Sequence, residues 1–193
     1  MMKKIPSLLA AVAALGLVAA ASAEPATYAI EPNHTFVTFE IAHFNTSTNR
    51  GRFDKKEGSV TIDRAAKTGK LDVTLDTTSL NTGVAQFTKH LSSDEILDVA
   101  KYPTAEFHGD KFTFNGDKVT EVSGNLTLHG KTNPVTLKAL NFNCYNSPLI
   151  KKEVCGGDFE TTLMRSQYGV NYGSNYGFPD AVHLVIQVEA VKQ

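Results

Sequence analysis

The sequence predicts an all-β protein: a single antiparallel barrel of roughly eight strands, with a short helical lid over about residues 84–101. Three observations carry this. Apolar and polar residues alternate through segment after segment, turn residues separate those segments, and only one stretch has helical spacing. The alternation is clearest at the end of the chain, where Val182, Leu184, Ile186, Val188 and Ala190 share one parity and His183, Gln187 and Glu189 interleave. Side chains of a strand point alternately to opposite faces, so such a run has one dry and one wet face. The pattern returns with Leu71, Val73 and Leu75 against Asp72, Thr74 and Asp76, and with Val122, Leu126 and Leu128 against Ser123, Asn125 and Thr127.

Taken in order, Ala26–Ile30 is followed by the turn Glu31-Pro32-Asn33 and a strand over Thr35–His43, with Val37, Phe39 and Ile41 on one parity. Asn45–Gly51 is polar and permissive, and reads as a turn or a bulged stretch. Gly58–Asp63 and Leu71–Thr77 are strands around the turn Ala66–Gly69. Between Gly83 and Tyr102, Phe87 and Leu91 are four apart, as are Ile96 and Ala100, which predicts two short helices. Ser92 or Ser93 caps the second, Asp94 and Glu95 suit its first turn, and Pro103 ends it. Thr104–Phe114 and Lys118–His129 pair around Asn115-Gly116-Asp117, and Gly130–Asn133 turns the chain into Pro134–Asn143. A cysteine-closed hairpin leads to Asp158–Arg165, a long Gly-, Asn- and Tyr-rich loop over Ser166–Pro179, and the last strand. A sandwich is the competing architecture. It is disfavoured by the absence of tryptophan and by a cysteine pair in adjacent strands.

Residues 1–23 read as a secretory signal peptide. Lys3 and Lys4 precede an Ala- and Leu-rich core, and Ala21-Ser22-Ala23 offers the small residues that a signal peptidase accepts. The alternative is an uncleaved anchor helix. Residues 24–193 then form one domain. Without Lys3 and Lys4 the 19 Lys+Arg become 17 against 20 Asp+Glu, so no basic stripe suggests a nucleic-acid partner. No second apolar run is long enough for stable membrane insertion, and the mature protein is expected in the periplasm or outside the cell. Cys144 and Cys155, the only cysteines, read as a structural disulfide in a secreted chain.

Reactive constellations are missing. The histidines at 34, 43, 90, 108, 129 and 183 show no metal-ligand spacing, and there is no HExxH, GxSxG, P-loop or GxGxxG. By parity His108, His129 and His183 are wet, while His43 shares the apolar parity and reads as a hydrogen-bonded core residue. Neither catalytic, metal nor cofactor site is predicted. An apolar-lined container without reactive groups points to a binder rather than an enzyme.

Several segments, in order, resemble the YceI-like family of periplasmic proteins. They are Tyr28-Ala-Ile-Glu-Pro-Asn-His34, Val37-Thr-Phe39-Glu-Ile-Ala-His43, Gly51-Arg-Phe53, His90-Leu91, Tyr102-Pro103-Thr104-Ala-Glu-Phe107 and Gly124-Asn-Leu126-Thr127-Leu128-His-Gly130-Lys-Thr132. Pro134-Val-Thr-Leu137, Arg165-Ser-Gln-Tyr168-Gly169-Val170 and Asp180-Ala-Val182 complete the set. The resemblance implies a lipocalin-like barrel that binds a polyisoprenoid lipid. Two departures stand out: Phe87 and Thr88 where the family commonly has an Arg-Asp pair, and Gln167 where an acidic residue is common.

The expected ligand is an isoprenoid, a polyprenyl chain or a quinone, or another long-chain lipid. Parity directs Phe39, Ile41, Leu75, Phe107, Leu126, Leu128, Phe159, Leu163, Leu184 and Ile186 inward, with Phe87 and Leu91 capping one end. Arg165 shares the parity of Phe159 and Leu163, an inward cation whose partner is a ligand head or a protein carboxylate, and Tyr168 lies beside it. The alternatives are a structural or stress-related interaction protein with a side-chain-filled barrel, or a binder of a fatty acid or amide. A homodimer stays open as the protein partner.

Overall fold

The structure, a computed structural model, describes residues 24–193. The expected signal peptide lies outside the described residues. Twelve strands follow in order: β1 (Ala26–Ile30), β2 (Phe36–His43), β3 (Ser47–Phe53), β4 (Lys56–Asp63), β5 (Thr68–Asp76), β6 (Leu80–Asn81), β7 (Thr104–Asn115), β8 (Lys118–Leu128), β9 (Lys131–Ala139), β10 (Asn143–Asn146), β11 (Glu153–Met164) and β12 (Ala181–Lys192). One helix, α1 (Ala85–Ser92), lies between β6 and β7.

All neighbouring pairs are antiparallel, and several short strands are halves of longer, bent ones. β1 and β2 both pair with β12, at Lys192–Ala190 and at Gln187–His183. β3 pairs with β2, and β4 pairs with β1. β5 and β6 continue one another through the turn Thr77–Ser79, and β9 and β10 both lie against β11. Joined this way, the chain makes an up-and-down barrel of about eight strands. β11 and β12 close it through an unbroken register from Val154↔Val191 to Met164↔Ala181.

The seam opposite is thin. β9 pairs with β11 only at Lys138 and Ala139, which leaves most of β9 without a neighbour on that side. Pro134 sits in this stretch, where a missing N–H costs no ladder bond. The turn Arg165–Tyr168 fills the gap: Asn133 donates to the Gln167 carbonyl at 3.3 Å, and Tyr168 and Val170 pack with Val135. A bulge between Gly109 and Lys111 bends β7 against β8. Gly124 is needed there, since an added Cβ would lie 2.0 Å from the His108 carbonyl oxygen.

Three local expectations are corrected. The stretch Asn45–Gly51 is mostly strand, because the turn is only Phe44–Thr46, with Phe44 and Asn45 left-handed at φ 51° and 55°. The β8–β9 turn is His129-Gly130, at φ 51° and 72°, rather than Gly130–Asn133. The second lid helix is absent: residues 93–101 form turns around Asp98, whose φ of 44° interrupts any helix. Ser93 ends α1 instead of starting a helix, its N–H bonding the His90 carbonyl at 3.2 Å.

The end of the barrel near β10 is sealed. Cys144 and Cys155 face each other across β10–β11 and are disulfide-bonded. Closing so short a loop stabilises by about 2–3 kcal/mol. Beneath them Tyr28, 1 % exposed, donates to Glu153, and Arg64 bonds Glu153 at 3.1 Å. Burial, then the Glu153 bond, pushes the Tyr28 hydroxyl up to about 12. Among the described residues no helix is long and apolar enough to cross a membrane.

Candidate functional site: an apolar chamber along the barrel axis

The inward parity of the strands meets in two chambers stacked along the barrel. The inner, about 140 Å³, lies toward the sealed end, and the outer, about 430 Å³, lies beneath α1 and the loop 166–179. Val37, Leu75, Ala105, Leu126 and Leu184 line both, so the two share one wall. Each strand places these side chains by simple alternation, and the antiparallel register brings them to one level. Leu184 of β12, for example, is the cross-strand partner of Phe39 in β2.

Every side chain expected to face inward lines a chamber. Phe39, Ile41, Leu128 and Leu163 belong to the outer one, Phe107, Phe159 and Ile186 to the inner, and Leu75, Leu126 and Leu184 to both. Phe87 and Leu91 of α1 reach the outer chamber, as do Arg165 and Tyr168. Phe87 thus carries an apolar ring to the wall at one of the departures from the family pattern. Thr88 instead braces the lid, accepting from the Thr82 N–H at 3.0 Å. Gln167 is exposed.

Among the described residues Arg165 is paired with no carboxylate. It is buried, and its guanidinium is spent on the loop that surrounds it. Nε donates to Pro179 O at 2.9 Å, Nη1 to Val170 O and Tyr172 O at 2.8 Å each, and Nη2 to Ser174 Oγ at 3.2 Å and Phe178 O at 3.5 Å. The carbonyls of Val170, Tyr172, Phe178 and Pro179, on either side of the short 3₁₀ turn Ser174–Tyr176, and the Ser174 hydroxyl supply the acceptors a buried cation requires. Tyr168 is 1 % exposed, and its shielded hydroxyl has no hydrogen-bond partner among the described residues. Burial raises its pKa, which keeps the hydroxyl protonated.

Two histidine readings change. His43 is not a hydrogen-bonded core residue: it is half-buried at the rim, its ring 4.9 Å from Phe44 and 5.3 Å from Phe178. His129 is not on a wet strand face, because it sits in the β8–β9 turn with Nδ1 3.0 Å from the Tyr168 carbonyl oxygen. His108 and His183 do face outward, against Asp72 and between Glu40 and Glu160.

Sequence reasoning missed Asn49, His90, Tyr172 and Phe178 in the outer wall. Asn49 could have been found by extending the β2 parity across the hairpin. Tyr172 and Phe178 lie in an irregular loop with no period to read. In the inner wall it missed Lys56, whose ammonium bonds Asp54 O at 3.2 Å and lies 4.4 Å from the Phe36 ring centre. Burial lowers the Lys56 pKa.

A closed antiparallel barrel with an apolar interior reaching one end, under a short lid, defines a lipocalin-like barrel. The chain belongs to the YceI-like family, whose domain matches residues 28–190. It is 36 % identical to a UPF0312 protein of Pseudomonas paraeruginosa, with each chain covered in full. Its fold is similar to the Campylobacter jejuni YCEI protein (TM-score 0.67, 25 % identity, 79 % of this chain and 90 % of that one). It is also similar to a polyisoprenoid binding domain from Saccharophagus degradans (TM-score 0.59, 14 % identity, 88 % and 100 % covered).

Proposed function

We propose that the protein binds an isoprenoid lipid, a polyprenyl chain or a quinone, with its tail along the barrel axis, and carries or sequesters it in the periplasm. The single observation behind this reading is the pair of chambers, apolar and sharing a wall, in a barrel that its own eleven phenylalanines do not fill. Their combined size is that of a small-molecule site. Each buried methylene stabilises by about 0.8 kcal/mol. Three isoprene units, about fifteen carbons, therefore gain roughly 12 kcal/mol gross, against association costs of roughly 4–15 kcal/mol. Each further isoprene unit adds about 4 kcal/mol gross, so a tail of four units or more offsets even a cost of about 15 kcal/mol without any strong polar contact.

Arg165 bears on the head group. With its nitrogens engaged by the loop, the outer wall has no free guanidinium for a carboxylate, which favours a neutral head over a fatty acid. The chemistry proposed is binding alone. Solvent extraction and mass spectrometry of protein purified from its native compartment tests the reading. A stoichiometric isoprenoid is expected. Protein that carries none, and takes up no added isoprenoid, would overturn it.

A further inference from the structure

We infer that His43 and Asn49 form the head-group subsite of the chamber, and that it selects a neutral, carbonyl-bearing lipid. The inference rests on the lipid reading above and adds the polar end of the ligand to it. Ile41 and Asn49 are cross-strand partners in β2 and β3, and His43 lies two residues beyond Ile41 on the same face. His43 and Asn49 are therefore diagonal neighbours, a spacing that lets two side chains share one small group. Both line the outer chamber. The adjacent Arg50 points the other way, to Glu40 at 2.6 Å, as strand alternation demands.

The pair combines a shared strand diagonal with free hydrogen-bonding capacity. Among the described residues the Asn49 carboxamide has no hydrogen-bond partner, and neither does the His43 ring. Of the other polar groups of this wall, Arg165 is occupied by its loop and Tyr168 is shielded by its packing, while His90 and Tyr172, whose ring centres lie 5.0 Å apart, belong to α1 and the loop and not to the β2–β3 diagonal. A carboxamide offers two donors and an acceptor, and a neutral imidazole one of each. Two such groups without a full charge suit a carbonyl oxygen and leave an ionised head poorly compensated. Phe178, its ring centre 5.3 Å from that of His43, places a flat apolar surface beside the pair.

The test uses farnesylacetone, its tail-matched hydrocarbon and farnesyl phosphate. Each competes against a fluorescent apolar dye on the wild type and on Asn49→Leu, which keeps the volume and removes the amide. The wild type is expected to bind the ketone about tenfold more tightly than the hydrocarbon, equal to about 1.4 kcal/mol. Asn49→Leu should lose that preference, binding ketone and hydrocarbon about equally. The carbonyl stretch of ¹³C-labelled ketone should shift to lower frequency on the wild type and not on Asn49→Leu. Equal ketone affinity and stretch in both proteins would overturn the subsite and leave lipid binding intact. Tighter binding of farnesyl phosphate than of the ketone by the wild type would assign the rim to an anionic head instead. Failure of the wild type to bind any of the three would overturn both this inference and the lipid reading. Should Asn49→Leu fail to fold, His43→Phe with the same probes and the same infrared readout decides the matter, since that exchange keeps a ring at the rim.

Discussion

Replacing Arg165 with alanine removes a guanidinium that ties together residues 170, 172, 174, 178 and 179 of one loop. Four of its contacts are 3.2 Å or shorter. Hydrogen bonds contribute about 0.5–1.5 kcal/mol net each, and more when a charge is involved. Part of the loss returns as the loop opens and its carbonyls reach water, so the expected destabilisation is about 3–5 kcal/mol. It should concentrate in residues 166–179, which cover the free edge of β9 as well as the chamber. Hydrogen exchange followed by peptide mass spectrometry should show those amides exchanging faster while β11 and β12 remain protected. Lipid retention should fall by a similar factor for neutral and for phosphate-headed isoprenoids, because the arginine holds the wall and not the head. A folded Arg165→Ala protein with undiminished protection over 166–179 would refute the reasoning. So would a loss confined to the phosphate-headed lipid.

Leu128→Asp or Leu163→Asp places an unpaired carboxylate in the outer chamber, and the folded variant should lose retention of a hydrophobic isoprenoid at least tenfold, read by extraction and mass spectrometry. Retention equal to that of the parent would place the ligand elsewhere. Tyr168→Phe deletes a shielded hydroxyl without a partner, so unfolding in urea should show about 1 kcal/mol of added stability; a loss instead would mean the hydroxyl has a partner. Tyr28 gives an alkaline signature. Its folded pKa of about 12 lies above the ordinary value of 10.0, so its contribution is complete below pH 10 and is lost as pH rises toward 12. Two pH units correspond to about 2–3 kcal/mol. Stability measured across that window should fall less in Tyr28→Phe than in the wild type, and identical slopes would contradict the assignment.

Alternation decided most of what the sequence determined. A strand has a period of two whatever surrounds it, so the parity of Phe39, Leu126, Leu163 or Leu184 was legible before any partner strand was known. The disulfide was legible for a similar reason, since a chain with only two cysteines leaves only one pairing. Residues with left-handed backbone were not. Phe44, Asp98 and His129 break the expected turns and helix because their conformations answer to the ladder and lid around them, not to propensity. Arg165 shows the same division. Parity placed it inward, but its partners are carbonyls of a loop that becomes ordered by folding around it, and no sequence pattern marks a carbonyl as an acceptor. The unpaired diagonal of His43 and Asn49 likewise exists only once the β2–β3 register is set. Hydrophobic periodicity is local and survives translation into structure. Hydrogen bonding of buried polar groups is settled by which carbonyls and side chains the fold brings around them, and only the tertiary structure names those.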